Sequence, residues 1–248
     1  MAMHGAADVI GCDVSDTGLA IARERARSVP NVRFEKGSVL DLPFADSSFD
    51  FVCCAGVLHH TPSIARGLDE LTRVLKPGGK LFLLLYGAGG LRWKLITALR
   101  PLAAELGVAC IDAAIEAAGL PANNRKHFLD DLFVPIQDFV RWVDLEQWLD
   151  ARGLTDVQHW MRGRFDHEAS PEEQIVDMGK LERIFVAVPQ LKAGDLVAQE
   201  ALGALGASIA KEFVAQASKL VHSANVNLDD VQRIVIGEGN HRVLATRY

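Results

Sequence analysis

A doubly wound α/β fold with a mostly parallel sheet is predicted by three observations. Short apolar runs, Val9–Asp13, Phe49–Ala55 and Lys80–Tyr86, alternate with stretches of helical spacing. Strands separated by helices of about 10–15 residues are joined by crossovers, so they run parallel. Lys80 to Tyr86 is almost wholly apolar, as a strand covered on both faces must be. The composition, 49% hydrophobic and 23% charged, is that of a folded globular chain rather than a disordered one. With 248 residues the chain can hold one large domain, or a medium one with an appendage.

Met1 to Ala7 resembles a frayed helix end, with Gly5 as its cap, and Val9–Asp13 is the first strand. Ser15 can cap a following helix that places Leu19, Ala22 and Ala26 on one face. Val32–Glu35 is a strand, 42–46 a loop, and Phe49–Ala55 a continuous apolar strand. Ile64, Leu68, Leu71 and Leu75 recur at helical spacing until Lys76-Pro77-Gly78-Gly79 stops the helix. Residues 87–140 read as a helical, Ala/Leu-rich lid or substrate region. Asp144–Ala151 is a helix, and Val157–Met161 and Arg183–Val188 are the next strands. After Pro189 the composition shifts, which divides the chain into segments 1–189 and 195–248. In the second, one helix over Asp195–His222 carries Leu202, Leu205, Ile209, Phe213 and Leu220. A β-hairpin, Val231–Ile236 and Arg242–Thr246, turns at Gly237–Asn240. The expected architecture is therefore an α/β domain with a C-terminal helix plus β-hairpin appendage. A lone hairpin is marginal in water, so this one needs cover, which favours a homodimer through the appendage.

The net charge of −6 gives no electrostatic support for nucleic-acid binding. No apolar run approaches the ~20 residues of a membrane span, and Met1–Asp8 has neither the basic nor the apolar region of a signal peptide. Cys12, Cys53, Cys54 and Cys110 show no C-x-x-C spacing and read as reduced thiols, three of them in apolar strands. A cytoplasmic protein is expected.

Ligands of doubly wound sheets bind outside the carboxyl ends of the strands. Asp13 ends the first strand there, where one carboxylate can accept from both hydroxyls of a ribose; the alternative is a strand-end Asp that caps the next helix. Ser38 and Val39, just past the second strand, can meet an adenine edge. His59-His60 can serve as a general base or open a helix structurally. No third ligand stands at a plausible spacing, so no metal is expected. Trp93, Trp142, Trp148 and Trp160 can wall an apolar pocket or fill the core.

Five segments occur in a fixed order: Val9–Asp13, Gly37–Phe44, Ser48–Val52, Gly56–Pro62 and Glu70–Gly79. Together they resemble the class I S-adenosylmethionine-dependent methyltransferases, in the small-molecule group that includes the quinone-biosynthesis enzymes. The resemblance covers roughly residues 1–189. It implies a Rossmann-like fold and S-adenosylmethionine as cofactor. Asp13 and Val14 would then lie at the ribose, Ser38 and Val39 would border the adenine, and Cys54 and Ala55 would line the cofactor. Many relatives carry an Asp at the position of Ser38; serine keeps a weaker acceptor without the charge. The family's first strand and glycine-rich turn have no counterpart before Val9, so an N-terminally truncated or degenerate form is expected. Separately, the tail after Pro189 resembles part of a roadblock-type domain.

The function expected is S-adenosylmethionine-dependent methyl transfer to a small-molecule acceptor, open to impairment where the glycine-rich turn is lacking. The alternative is a non-catalytic methyltransferase-like subunit that acts through dimerisation or partner regulation.

Overall fold

The computed structural model describes residue 2 and residues 5–159, 170–191, 195–223 and 226–248. Trp160, the end of the strand expected over 157–161, and part of the 189–194 junction lie outside the described residues. By contact density the chain divides into two compact units, Met1–Leu84 with Val143–His159 and Arg242–Tyr248, and Leu85–Trp142 with Trp160–His241.

The fold is mixed α/β with parallel strand pairs and flanking helices. In the first unit β1 (Val9–Asp13) pairs in parallel with β2 (Val32–Lys36) across α1 (Asp16–Arg25), which Ser15 caps by accepting from the Gly18 N–H. Leu19 of α1 is buried, as its spacing predicts. β3 (Phe49–Ala55) is followed by a 3₁₀ turn (Leu58–His60), α2 (Ile64–Val74) and β4 (Leu75–Tyr86), which pairs with β3 in parallel. The helix stops at Val74, ahead of the Lys-Pro-Gly-Gly segment. Ile64, Leu68, Leu71 and Val74 bury one face of α2, the i, i+4, i+7 stripe of an amphipathic helix.

The described strands form two sheets, β1-β2 and β3-β4-β6-β5, where β5 is Leu154–His159 and β6 is Asn240–Arg247. Among the described residues β1 has β2 as its one partner and β3 has β4. The strand at the chain's end thus lies inside the main sheet, between β4 and β5. It pairs with β5 antiparallel, and Val243 and Ala245 alternate into the core. Arg247 of β6 donates to the carbonyls of Arg73 and Leu75, and Lys80 Nζ of β4 to Thr246 Oγ1.

That placement corrects the expected hairpin. Residues 228–235 are α9 (Leu228–Val235), with Asn227 as its N-cap and Asp229 and Asp230 in the first turn. Acids at a helix start favour helix through the macrodipole, and Val231 and Val235 are buried at i, i+4. The cover that Val231 and Val243 need comes from within the chain.

The second unit packs α3 (Leu91–Leu106), α4 (Val108–Ala117), α5 (Ala122–Phe133), α7 (Pro171–Ala187), α8 (Leu196–Val221) and α9 around one core; α6 (Trp142–Asp150) precedes β5. The strand expected over Arg183–Val188 is instead the end of α7 and, at Val188, the start of a 3₁₀ turn (Val188–Gln190). Ser170 accepts from the Glu173 N–H while the Glu173 carboxylate accepts from the Ser170 N–H, a capping box ahead of Pro171. Met178, Leu181, Phe185 and Val188 then recur at 3–4 residue spacing and are fully buried. α8 has the expected span, but its buried face is Gln199, Gly203, Gly206, Ala210 and Ala217, with Leu205 half exposed. Small residues let its backbone approach α7, so the large side chains flank the contact.

Candidate functional site

Parallel pairing sets which residues share an edge. The β1–β2 register aligns Asp13 with Lys36, so Asp13 and Val14 end β1 where Gly37, Ser38 and Val39 continue from β2. Asp13 is exposed. Its Oδ1 accepts from the Ser15 N–H at 2.8 Å and its carbonyl from the Gly37 N–H at 3.1 Å. One carboxylate oxygen thus steadies the turn into α1, whereas the cap of that helix, the alternative weighed for Asp13, is Ser15. The other oxygen receives no hydrogen bond among the described residues. Val14 is exposed. Ser38 Oγ accepts from the Leu40 N–H at 3.1 Å, and its carbonyl accepts from the Asp41 N–H at 3.0 Å. Its hydroxyl proton remains available to donate.

Cys54 and Ala55 end β3, in the other sheet, aligned with Leu83 and Leu84 of β4. Burial, with Cys53 beside it, pushes the Cys54 thiol up to about 12. A thiol held so high stays protonated at neutral pH, where it is a poor nucleophile. The turn Leu58–His60 seats on α2 at Gly67, where a Cβ would stand 2.4 Å from Leu58 Cδ2, so only glycine lets the turn approach. His59 is fully buried, and that burial, with His60 next to it, brings its imidazole down to about 3. A base with so low a pKa is neutral at pH 7 and a weak proton acceptor. His60 is half-buried, its ring 4.3 Å from that of His59.

The structure therefore places Asp13, Val14, Ser38 and Val39 at the end of one parallel pair, with Cys54 and Ala55 at the end of another and the histidines just past it. The link between the pairs is a clamp that sequence reasoning left without a role. Residues 40–46 connect β2 to β3, and three side chains of α2 grip them. Arg66 Nε donates to the Leu40 carbonyl at 3.0 Å, and Glu70 Oε2 accepts from the Leu42 N–H at 2.8 Å. Arg73 donates to the carbonyls of Leu42 and Phe44 at 3.0 and 2.7 Å, to Asp46 at 2.7 Å and to both Glu70 oxygens at 3.0 and 2.8 Å. Glu70 is 4% exposed. Its carboxyl lies below the usual range, first through the Arg73 hydrogen bonds, against the opposing effect of burial. The signal was an acid and an arginine at i, i+3 just before Lys-Pro-Gly-Gly; its partner, a loop 30 residues upstream, is invisible to local spacing.

Among the described residues no group of three or more His, Cys, Asp or Glu side chains converges as a metal site would require. No helix among them is long and apolar enough to cross a membrane.

Residues 1–83 match a family model described as "Methyltransferase domain". The chain is 39% identical over 72 residues to a demethylmenaquinone methyltransferase of Staphylococcus carnosus, covering 29% of this chain and 30% of that protein. A Staphylococcus aureus protein of the same description is 38% identical over 78 residues, with 32% of each covered. Among solved structures, the YcgJ protein of Bacillus subtilis aligns over 97% of this chain and 82% of its own, at 16% identity and a TM-score of 0.49. The chain spans about a third of the length of these curated relatives. The similarity to known proteins thus lies in the first third of the chain, which resembles the methyltransferase domain of that model and a part of these demethylmenaquinone methyltransferases.

Proposed function

We propose that the chain carries out methyl transfer from S-adenosylmethionine to a small-molecule acceptor. The observation that carries this reading is Asp13: an exposed carboxylate at the carboxyl tip of a parallel strand, with one oxygen anchored by Ser15 and the other open. That donor set fits a nucleoside. The open oxygen can accept from ribose hydroxyls, Val14 offers an apolar surface beside it, and Ser38 with Val39 can border the base. Cys54 and Ala55 would line the cofactor with neutral side chains, suited to a positively charged sulfonium.

When bound, S-adenosylmethionine supplies a methyl group that is already activated. The protein's work is then alignment and exclusion of water. Glu70 and Arg73 are positioning residues, because they hold the loop that follows Ser38 and Val39. Of the two histidines, His60 has the access to take a proton from an acceptor hydroxyl, whereas His59 is enclosed and neutral.

A second reading, a methyltransferase-like subunit working through association, draws on β3. It has one strand partner among the described residues and leaves Phe51 41% exposed. Calorimetric titration with S-adenosylhomocysteine separates the two. Saturable heat with a dissociation constant below millimolar supports the enzyme; no heat at millimolar ligand supports the subunit.

A further inference from the structure

We infer that a cavity beside α3, within the second unit, is a binding site for a flat aromatic anion the size of a two-ring carboxylate. The cavity is about 350 Å³ and is lined by Gly89, Trp93, Lys94, Thr97, Ala98 and Phe139. That volume falls in the range of roughly 300–1,000 Å³ typical of small-ligand sites.

Helical geometry builds one wall. Trp93, Lys94, Thr97 and Ala98 stand at i, i+1, i+4 and i+5 of α3, which is one face of the helix. Phe139 extends the lining beside Trp93, on a segment tied down through its neighbour Val140. The Val140 N–H donates to the Tyr86 carbonyl at 2.9 Å, and the Val140 carbonyl accepts from the Ala88 N–H at 2.9 Å. Tyr86, Trp93 and Phe139 make one aromatic cluster, with ring centroids 4.8 Å (Tyr86–Trp93), 5.0 Å (Trp93–Phe139) and 6.3 Å (Tyr86–Phe139) apart.

The wall is held rigid from behind. Arg92 donates to Asp131 and Asp177, each at 2.6 Å, and its guanidinium lies 4.9 Å from the centroid of the Trp93 ring. A rigid wall loses little freedom when a ligand settles on it. Such aromatic surfaces favour flat rings through offset-stacked and edge-to-face contacts, beyond area burial alone.

The polar groups set the charge of the ligand. Lys94 is exposed and makes no ion pair among the described residues. Thr97 Oγ1 already donates to the Trp93 carbonyl at 2.8 Å. Gly89 and Ala98 add no polar side chain. Recognition is then an aromatic face with a single ammonium at its rim, which complements an apolar ring system ending in one acid group.

The inference does not depend on methyl transfer, because binding is read without cofactor. The full chain is titrated by calorimetry with 2-naphthoate, 2-naphthylmethylammonium and cyclohexanecarboxylate. The site predicts binding of 2-naphthoate below about 1 mM, with the other two at least tenfold weaker. Lys94→Glu and Phe139→Ala, checked for folding by circular dichroism, should each weaken 2-naphthoate at least tenfold. Lys94 is exposed and unpaired among the described residues, so its variant keeps the test valid even if Phe139→Ala unfolds. No binding of 2-naphthoate, equal binding of the ammonium analogue, or a folded Lys94→Glu variant that binds within twofold of the parent overturns the proposal.

Discussion

His59 and Glu70 put a neutral imidazole and a charged carboxylate inside the same unit, and their pH dependences separate. His59 in the folded chain sits near 3, below its ordinary 6.5, chiefly because it is buried. As pH falls below 6.5 the unfolded chain gains a proton that the folded chain refuses, so stability drops between about 6.5 and about 3. From pH 7 to pH 5 this amounts to about 2 kcal/mol for that group. In His59→Asn the loss of stability over that interval should shrink by about this much in urea unfolding; an unchanged interval would contradict an enclosed neutral imidazole. Glu70 acts lower on the scale. Its folded carboxyl is depressed below 4.5, so its contribution is complete above that pH and is lost as acid protonates the folded group. Glu70→Gln should destabilise the protein by about 2–4 kcal/mol at pH 7, because it strips Arg73 and the Leu42 N–H of a buried charged partner. A loss below 0.5 kcal/mol in the same assay would mean that the clamp is not formed. The sequence marked His59 because paired histidines are conspicuous. Its enclosure depends on Leu58 seating against Gly67, a tertiary contact that no local pattern announces.

Secondary elements were legible where cap and periodicity agreed. Ser15, Ser63 and Asp195 each cap the helix that follows them, and the first and last were read as helix starts from sequence. The misreadings at 183–188 and 231–236 share one cause: short apolar runs fit strand and buried helix alike. The deciding signals were the caps, Ser170 with Glu173 and Asn227 with its two acids. The α7–α8 contact shows the same limit. An apolar stripe was legible on α8, but its closest approach uses glycine. At Gly206 a Cβ would lie 2.1 Å from a ring carbon of fully buried Phe185, whereas at Gly179 in α7 nothing lies within 4 Å. Alanine favours a helix interior by about 1 kcal/mol at either position. Crowding a packed core costs about 1–3 kcal/mol, so it wins at Gly206 alone. Gly206→Ala should lower the thermal midpoint and Gly179→Ala should raise it. Shifts of the same sign would refute this account of the interface.

At the scale of the molecule, sequence order conveyed the β–α progression through β4 and the parallel pairing that follows from it. It did not convey that β6, the last strand in the chain, lies between β4 and β5. Such a pairing joins strands as far apart in sequence as Lys80 and Thr246, a separation that no local pattern spans. The strand-end positions of Asp13, Cys54 and Ala55 were legible because they follow directly from strand boundaries. The α2 clamp was not, since it joins a helix to a loop across nearly 30 residues.

The central claim is that Asp13 receives the ribose of a sulfonium nucleoside. Its most direct test compares S-adenosylhomocysteine with the 2′-deoxyribose analogue on the parent chain and on Asp13→Ala. A carboxylate hydrogen bond is worth about 1.5–3 kcal/mol. The parent should therefore prefer the intact ribose at least tenfold, and the variant should bind the two ligands within about twofold of each other. An equal preference for the intact ribose in both proteins would contradict the account.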